Sequence, residues 1–455
     1  MAARAVAGTR HSRLLMSAFL AAGTSCAHAP APEPLTGPAT ALRFGSLVDG
    51  TGRVMQDAIV VVQGDRIVRV GSGDAAVPGG ASVIDLRRYT AIPGMIDVHT
   101  HMTYTAARPA APPPPRGAAG AGGGAPGGAG RGQPVPREQV ALRAADNARK
   151  TLETGVTTVR DLGASNFTDV AVRDMINRGA MVGPRMFVAG FGLQKVTGAG
   201  RGGAAPGPPR GRVRDTTEIP EAVKTQVDSG ADWIKMYGST GTGADVSGTE
   251  TFNFAEMKAA VDAAHRLGRK IAIHSYGPEG GRDAMLAGAN SVEHPVDLDD
   301  ATLAEFARRG TFYVPTIDHN RFYADNAALR RYTDADVVGL NAFIAKNLET
   351  TRRAFKAGVK IAMGSDAVDW MFGENTRELG WFVKAGMTPA QALATATTNA
   401  AELLGMSGTL GKVAPCYYAD IVAVEGNPLT DINVVINNVR WVMKGGAVVV
   451  DHTQR

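Results

Sequence analysis

Cysteine is almost absent: the 455 residues contain two, Cys26 and Cys416. One of them lies in an N-terminal stretch read below as removed or lipidated, so no intrachain disulfide framework can hold the fold. Aromatic residues are scarce at 6%. No basic stripe interleaved with aromatics occurs, which excludes a nucleic-acid or anionic membrane-surface partner. The formal charge of +5 does not argue otherwise, because Arg4, Arg10 and Arg13 precede the first acid, Glu33, and without them it is +2. No apolar run reaches the roughly 20 residues of a membrane-spanning helix. What is present is a globular composition, 44% hydrophobic and 20% charged, in a chain longer than one ordinary domain needs.

Residues 1–29 read as an export signal. A basic start through Arg13 is followed by the apolar run Leu14–Ala22, too short to span a bilayer as a helix. Ala27-His28-Ala29 fits a small-x-small cleavage pattern, and Thr24-Ser25-Cys26 partly matches a lipoprotein box. The protein is therefore expected in the periplasm, lipid-anchored to the outer membrane at Cys26, or secreted. Residues 30–40, rich in Pro and Ala, read as a tether.

Residues 41–92 show short strands and turns. The clearest pair is Ala58–Val62 and Arg66–Val70, joined by Gln63-Gly64-Asp65 as a hairpin. Residues 406–455 show similar strands, Asp420–Val424, Val439–Met443 and Ala447–Val450. Two β-rich ends bracketing a long middle predict a small β-sandwich assembled from both termini.

The middle, 93–405, alternates short apolar strands with helical patterns. Eight strand candidates end near His99, Asp161, Gly190, Lys235, His274, His294, Thr316 and Asp366. Helices are expected over Arg143–Glu153, Glu221–Ser229, Phe254–Leu267, Leu303–Arg309, Ala342–Ala357 and Pro389–Leu404. This alternation predicts an α/β fold, a closed (β/α)₈ TIM barrel. Two low-complexity stretches interrupt it, 109–136 and 198–212, and read as surface loops or as lids over a substrate.

The chemistry lies at the strand ends. His99 with His101, Lys235, His274, His294 and Asp366 all sit at, or just past, the C-terminal ends of predicted strands, which in a parallel barrel converge on one mouth. Alternation in His99-x-His101 points both imidazoles one way, so the pair can chelate one ion. Among apolar neighbours Lys235 should lose its proton readily, and the neutral amine could take up CO₂ to form a carbamate. Read alone, it is a salt-bridged or snorkelling lysine. Tyr237 points the same way as Lys235, as a donor to an oxyanion or substrate carboxylate, or as a packing tyrosine. Arg160 is a candidate for a substrate carboxylate or for an ion pair, and His319, past strand seven, for a substrate contact.

The order HxH, Lys, His, His, Asp, preceded by Ile92-Pro93-Gly94-Met95-Ile96-Asp97, resembles the amidohydrolase superfamily. The likeness extends to Val156–Gly163, Ala385–Leu393 and Ala419–Val422. The nearest branch is the imidazolonepropionase-like group, which includes Xaa-Pro dipeptidases, carboxypeptidases and ochratoxin-hydrolysing amidohydrolases. The resemblance implies two divalent ions, zinc being usual. His99, His101 and Asp366 would hold the first, His274 and His294 the second, and carboxylated Lys235 would bridge them. It further implies a metal-activated water attacking an amide carbonyl, with Asp366 as proton acceptor and then donor. The expected substrate is a dipeptide, a C-terminal peptide bond or an ochratoxin-like N-acyl amino acid. A cyclic amide and a catalytically silent scaffold are the alternatives, and a homo-oligomer is expected. The sequence departs from the pattern at Pro295, where glycine is common, and at Gly411–Tyr418, which replaces a shorter approach to Ala419-Asp420.

Overall fold

A computed structural model describes residues 37–104, 137–196 and 211–454. The expected export signal, residues 109–136 and most of 198–212 lie outside these. Seven parallel strands surround the barrel axis. Met95–Thr100, Val156–Asp161 and Arg185–Val188 form one three-stranded sheet. Trp233–Tyr237, Lys270–His274, Ser291–Glu293 and Phe312–Val314 form a four-stranded one. Every residue of the first two strands is buried, as expected where both faces of a parallel sheet are covered.

The eighth member is not a regular strand. Residues 360–367 close the ring irregularly: Tyr313 N donates to Lys360 O at 2.9 Å on one side. On the other, Val98 N donates to Met363 O at 2.9 Å and Asp366 N to His99 O at 2.7 Å. The regular ladder fails here because Asp366 adopts a left-handed φ of 51°. In addition, the buried Asp97 carboxylate takes the Ser365 N–H at 2.9 Å and its hydroxyl at 2.5 Å. The two sheets join on their other side through Asp232 N to Val188 O, 2.8 Å.

The helices start where their sequences supply caps. Asn253 with Glu256, Thr333 with Asp336 and Thr388 with Gln391 form reciprocal capping boxes at the heads of Phe254–Arg266, Asp334–Lys356 and Pro389–Thr395. The helix expected over Pro389–Leu404 is in fact two, Pro389–Thr395 and Thr398–Leu404. The break frees two carbonyls for the barrel: Thr395 O accepts from Met363 N at 3.0 Å and Ala396 O from Ile96 N at 2.7 Å. Pro278–Ala287 is a helix that periodicity did not reveal. Its Gly280-Gly281 pair argues against helix, yet a Cβ at Gly281 would lie 2.7 Å from the Pro295 Cβ. Close approach to the turn after His294 explains the glycine there.

Both chain ends build one seven-stranded mixed sheet, and this is the form the expected sandwich takes. Its order is Ala447–Asp451, Val439–Lys444, Ile421–Val424, Ser82–Pro93, Thr40–Val48, Val54–Gln63, Arg66–Ser72. Leu42, Phe44, Val60, Ile421 and Trp441 pack together in its core. The expected hairpin forms, but Gln63 joins the first strand and pairs with Arg66, so that only Gly64 and Asp65 make the connection. The unusual Gly411–Tyr418 stretch pairs with this hairpin, Ile67 N donating to Tyr417 O at 2.9 Å and Cys416 N to Ile67 O at 2.8 Å.

Candidate metal centre

The strand ends bring the six expected residues to one cavity of about 420 Å³. Asp366 Oδ1 lies 3.4 Å from His99 Nε2 and 3.2 Å from His101 Nε2. One ligand atom from each of the three falls within 4.8 Å of the others. Two ligands about 2.1 Å from one ion at a tetrahedral angle stand about 3.4 Å apart, so the spacing fits a shared cation. Asp366 Oδ2 is 4.0 Å from His294 Nε2, and Lys235 Nζ is 3.4 Å from His99 Nε2. The His294 ring centre stands 4.8 Å from that of His99 and 4.7 Å from that of His274.

The Nδ1 atoms are held from behind, which turns Nε2 toward the cavity. His101 Nδ1 donates to Gly163 O at 3.2 Å and His99 Nδ1 to the Glu293 carboxylate at 2.9 Å. His294 Nδ1 meets the Thr316 hydroxyl at 2.6 Å. Outer hydrogen bonds of this kind fix the tautomer and orient the lone pair. Burial, reinforced by the Lys235 cation, lowers His99 to about 4 and His274 to about 3, and burial drives His294 well below its usual value. These three imidazoles are neutral at pH 7. Neutral nitrogens beside a carboxylate are the donor set of a zinc-like divalent ion.

Residues 90–449 match the Amidohydrolase family. The chain belongs to that family. The ochratoxinase of Aspergillus niger is 29% identical over 447 aligned residues, covering 90% of this chain and 86% of its own. Among solved structures, a Xaa-Pro dipeptidase with methionine bound in its active site has a TM-score of 0.78 and 31% identity, covering 90% of this chain and 99% of that one. A prolidase complexed with N-methylphosphonate-L-proline has a TM-score of 0.77 and 26% identity, covering 91% and 100%.

This amidohydrolase uses Arg160 differently from the substrate contact considered above. The side chain is 0% exposed and does not line the cavity. Its guanidinium donates to Glu293 Oε1 at 3.0 Å, Ser291 Oγ at 2.9 Å and Val98 O at 2.6 Å. Burial opposes the Glu293 charge, but Arg160 and the His99 hydrogen bond hold this carboxylate down at about 2. Glu293 therefore stays charged beneath His99. Glu293 was not among the residues the sequence singled out; the usable signal was an acid inside a buried strand.

His319 and Tyr237 both line the cavity. His319 Nε2 lies 3.3 Å from Asp366 Oδ2, and its Nδ1 donates to Asp366 O at 2.8 Å. Tyr237 shares a 2.7 Å hydrogen bond with the hydroxyl of Tyr104, which stacks on His101 at 4.2 Å. Tyr104 and Tyr276 were not foreseen, because their sequence neighbourhoods carry no motif. The helix Ile317–Asp325, which carries His319, has no cap of its own, since Thr316 faces His294 instead. Glu378 replaces it, accepting from Ile317 N at 2.9 Å and Asp318 N at 2.8 Å.

Three successive strand ends of this amidohydrolase carry non-glycine residues with left-handed backbone: His294 at φ 74°, Thr316 at 52° and Asp366 at 51°. Such strain persists where the surroundings over-determine it, and it concentrates at functional sites. Gly364 sets the Asp366 turn against the first strand, since a Cβ there would lie 2.7 Å from the His99 Cβ and 2.6 Å from Val314 Cγ1. Gly364→Ala is expected to cost about 1–3 kcal/mol by overpacking and to weaken metal retention as His99 shifts. Urea denaturation and metal analysis after dialysis check both, and an unchanged metal content would contradict the second.

Proposed function

We propose that this amidohydrolase cleaves the amide bond of dipeptides or N-acyl amino acids, molecules with a carboxylate near the scissile amide. The observation that carries this reading is the meeting of His99, His101, Lys235, His274, His294 and Asp366 around one cavity. Relatives crystallised with methionine or with N-methylphosphonate-L-proline support the substrate class. His99, His101 and Asp366 would hold one divalent cation, and His274 and His294 a second, with zinc the ion to supply first. Bound there, the cations supply Lewis-acid polarisation of a carbonyl and a lowered pKa for a water.

The chain's own residues supply the rest. Asp366 is buried, yet His319, His99 and His101 hold it well below the usual carboxylate range. It is ionised and free to accept the proton of the attacking water and return it to the leaving nitrogen. Burial keeps the Tyr237 phenol protonated, its pKa well above 10, so it remains a donor to an oxyanion or substrate carboxylate.

Lys235 would join this ligand set only as a carbamate, formed when its neutral Nζ amine adds to CO₂ and releases a proton. Burial lowers this amine to about 8, which raises the neutral fraction that can attack CO₂. Below that pH the fraction falls about tenfold per unit. Reactivation of metal-free protein at fixed dissolved CO₂ is therefore expected to accelerate from pH 6 to 8 and level off above. A rate flat across that range would remove carboxylation from the scheme.

A screen of zinc-loaded protein against dipeptides and N-acyl amino acids tests the proposal, with metal content measured on the same sample. Near two ions per chain and turnover of at least one class are expected. Full metal loading without turnover of either class would sink it.

A further inference from the structure

Beyond the residues grouped around Asp366, one other charged residue among those described lines the cavity, Lys195. It stands on the short strand Gln194–Lys195, which pairs with Arg212–Val213. Leu193, just before it, brackets the fourth barrel strand: Leu193 N donates to Lys235 O at 2.7 Å and Tyr237 N to Leu193 O at 2.9 Å. The backbone thus carries Lys195 alongside the strand that presents Lys235 and Tyr237.

The ammonium is anchored and only partly used. It pairs with Glu256, whose side chain is 7% exposed, while that of Lys195 is 19% exposed. Glu256 is itself fixed, because its other oxygen accepts from Asn253 N at 3.1 Å in the capping box of Phe254–Arg266. An ammonium has three donors, and among the described residues Glu256 is its one hydrogen-bond partner. It also lies 5.5 Å from the centre of the Phe252 ring, and the same lining offers neutral hydroxyls and an amide at Gln194, Ser239, Thr240, Thr242 and Thr251. Among the described residues no carboxylate other than Asp366 lines this cavity.

We infer that Lys195 is a specificity-determining residue that ranks substrates bearing a free carboxylate above their neutral amides. The inference rests on the amide-hydrolase reading above and adds the side chain that sets the preference. A cation held at a cavity wall by a buried partner attracts an anion without having to be ordered first, which lowers the cost of binding. The same charge disfavours cationic substrates at that wall.

The test compares an N-acyl amino acid with its C-terminal amide on the zinc-loaded enzyme. Lys195→Met is expected to lower the acid-to-amide ratio of kcat/KM about 10- to 100-fold, mostly through KM, and Lys195→Arg to retain most of it. Glu256→Gln keeps the cation but removes its counter-charge, so the ratio should rise. A merely structural ion pair would leave the ratio unchanged in both variants, and that result overturns the inference. Calorimetric binding of N-acetyl-L-phenylalanine and its amide reads the same preference without turnover. Absence of turnover with a Lys195-dependent binding preference would therefore reject the reaction and keep the residue's role; equal binding by wild type and Lys195→Met would reject the role.

Discussion

Asp366→Asn is expected to lose about 10³-fold or more of kcat/KM on any substrate the wild-type enzyme turns over. The expectation follows from position. One oxygen lies 3.2 Å from His101 Nε2 and the other 3.3 Å from His319 Nε2, so a single carboxylate faces both the candidate ligands and a second imidazole. An amide of the same shape keeps one oxygen for a cation but cannot take a proton, and a positioned general base contributes about 10²–10⁴-fold by itself. Steady-state kinetics at matched metal content separates the proton role from simple loss of metal. A variant that retains more than about a tenth of the wild-type rate would exclude Asp366 as the proton carrier.

Arg160→Met should cost about 3–5 kcal/mol of stability, the range for breaking one side of a buried ion pair. Arg160 and Glu293 are both 0% exposed, so the remaining carboxylate has no water to turn to. It would then take up a proton, and its grip on His99 Nδ1 would change with it. Adding Glu293→Gln removes the stranded charge while leaving an acceptor for His99, and the double variant should recover part of the loss. Urea denaturation of wild type, single and double variants measures this directly. A single-variant loss under about 1 kcal/mol would mean that the pair is not what holds this layer together.

Both predictions concern residues that local sequence treats very differently. Asp366 was legible because it ends an apolar strand candidate in a barrel whose other strand ends already carried histidines. The HxH pair was legible from alternation alone. Glu293 was not, since its value lies in contacts to His99 and Arg160, 194 and 133 residues away. Thr316 and Glu378 were hidden for the same reason: a threonine that holds an imidazole leaves its helix to be capped by an acid from a different helix. Regular secondary structure was read best where caps are local, as at Asn253 and Glu256. It was read worst where the barrel borrows carbonyls, as at Thr395 and Ala396, or replaces a strand by side-chain hydrogen bonds, as at Asp97 and Ser365.

The seven-stranded sheet carries a consequence for biosynthesis. Ser82–Pro93 is flanked on one side by Thr40–Val48, available early, and on the other by Ile421–Val424. Until nearly the whole polypeptide has left the ribosome, that second flank presents unpaired N–H and C=O groups, an invitation to association with other chains. A chaperone-bound nascent chain, or late truncations that aggregate although every candidate metal ligand is intact, is the behaviour such a topology produces.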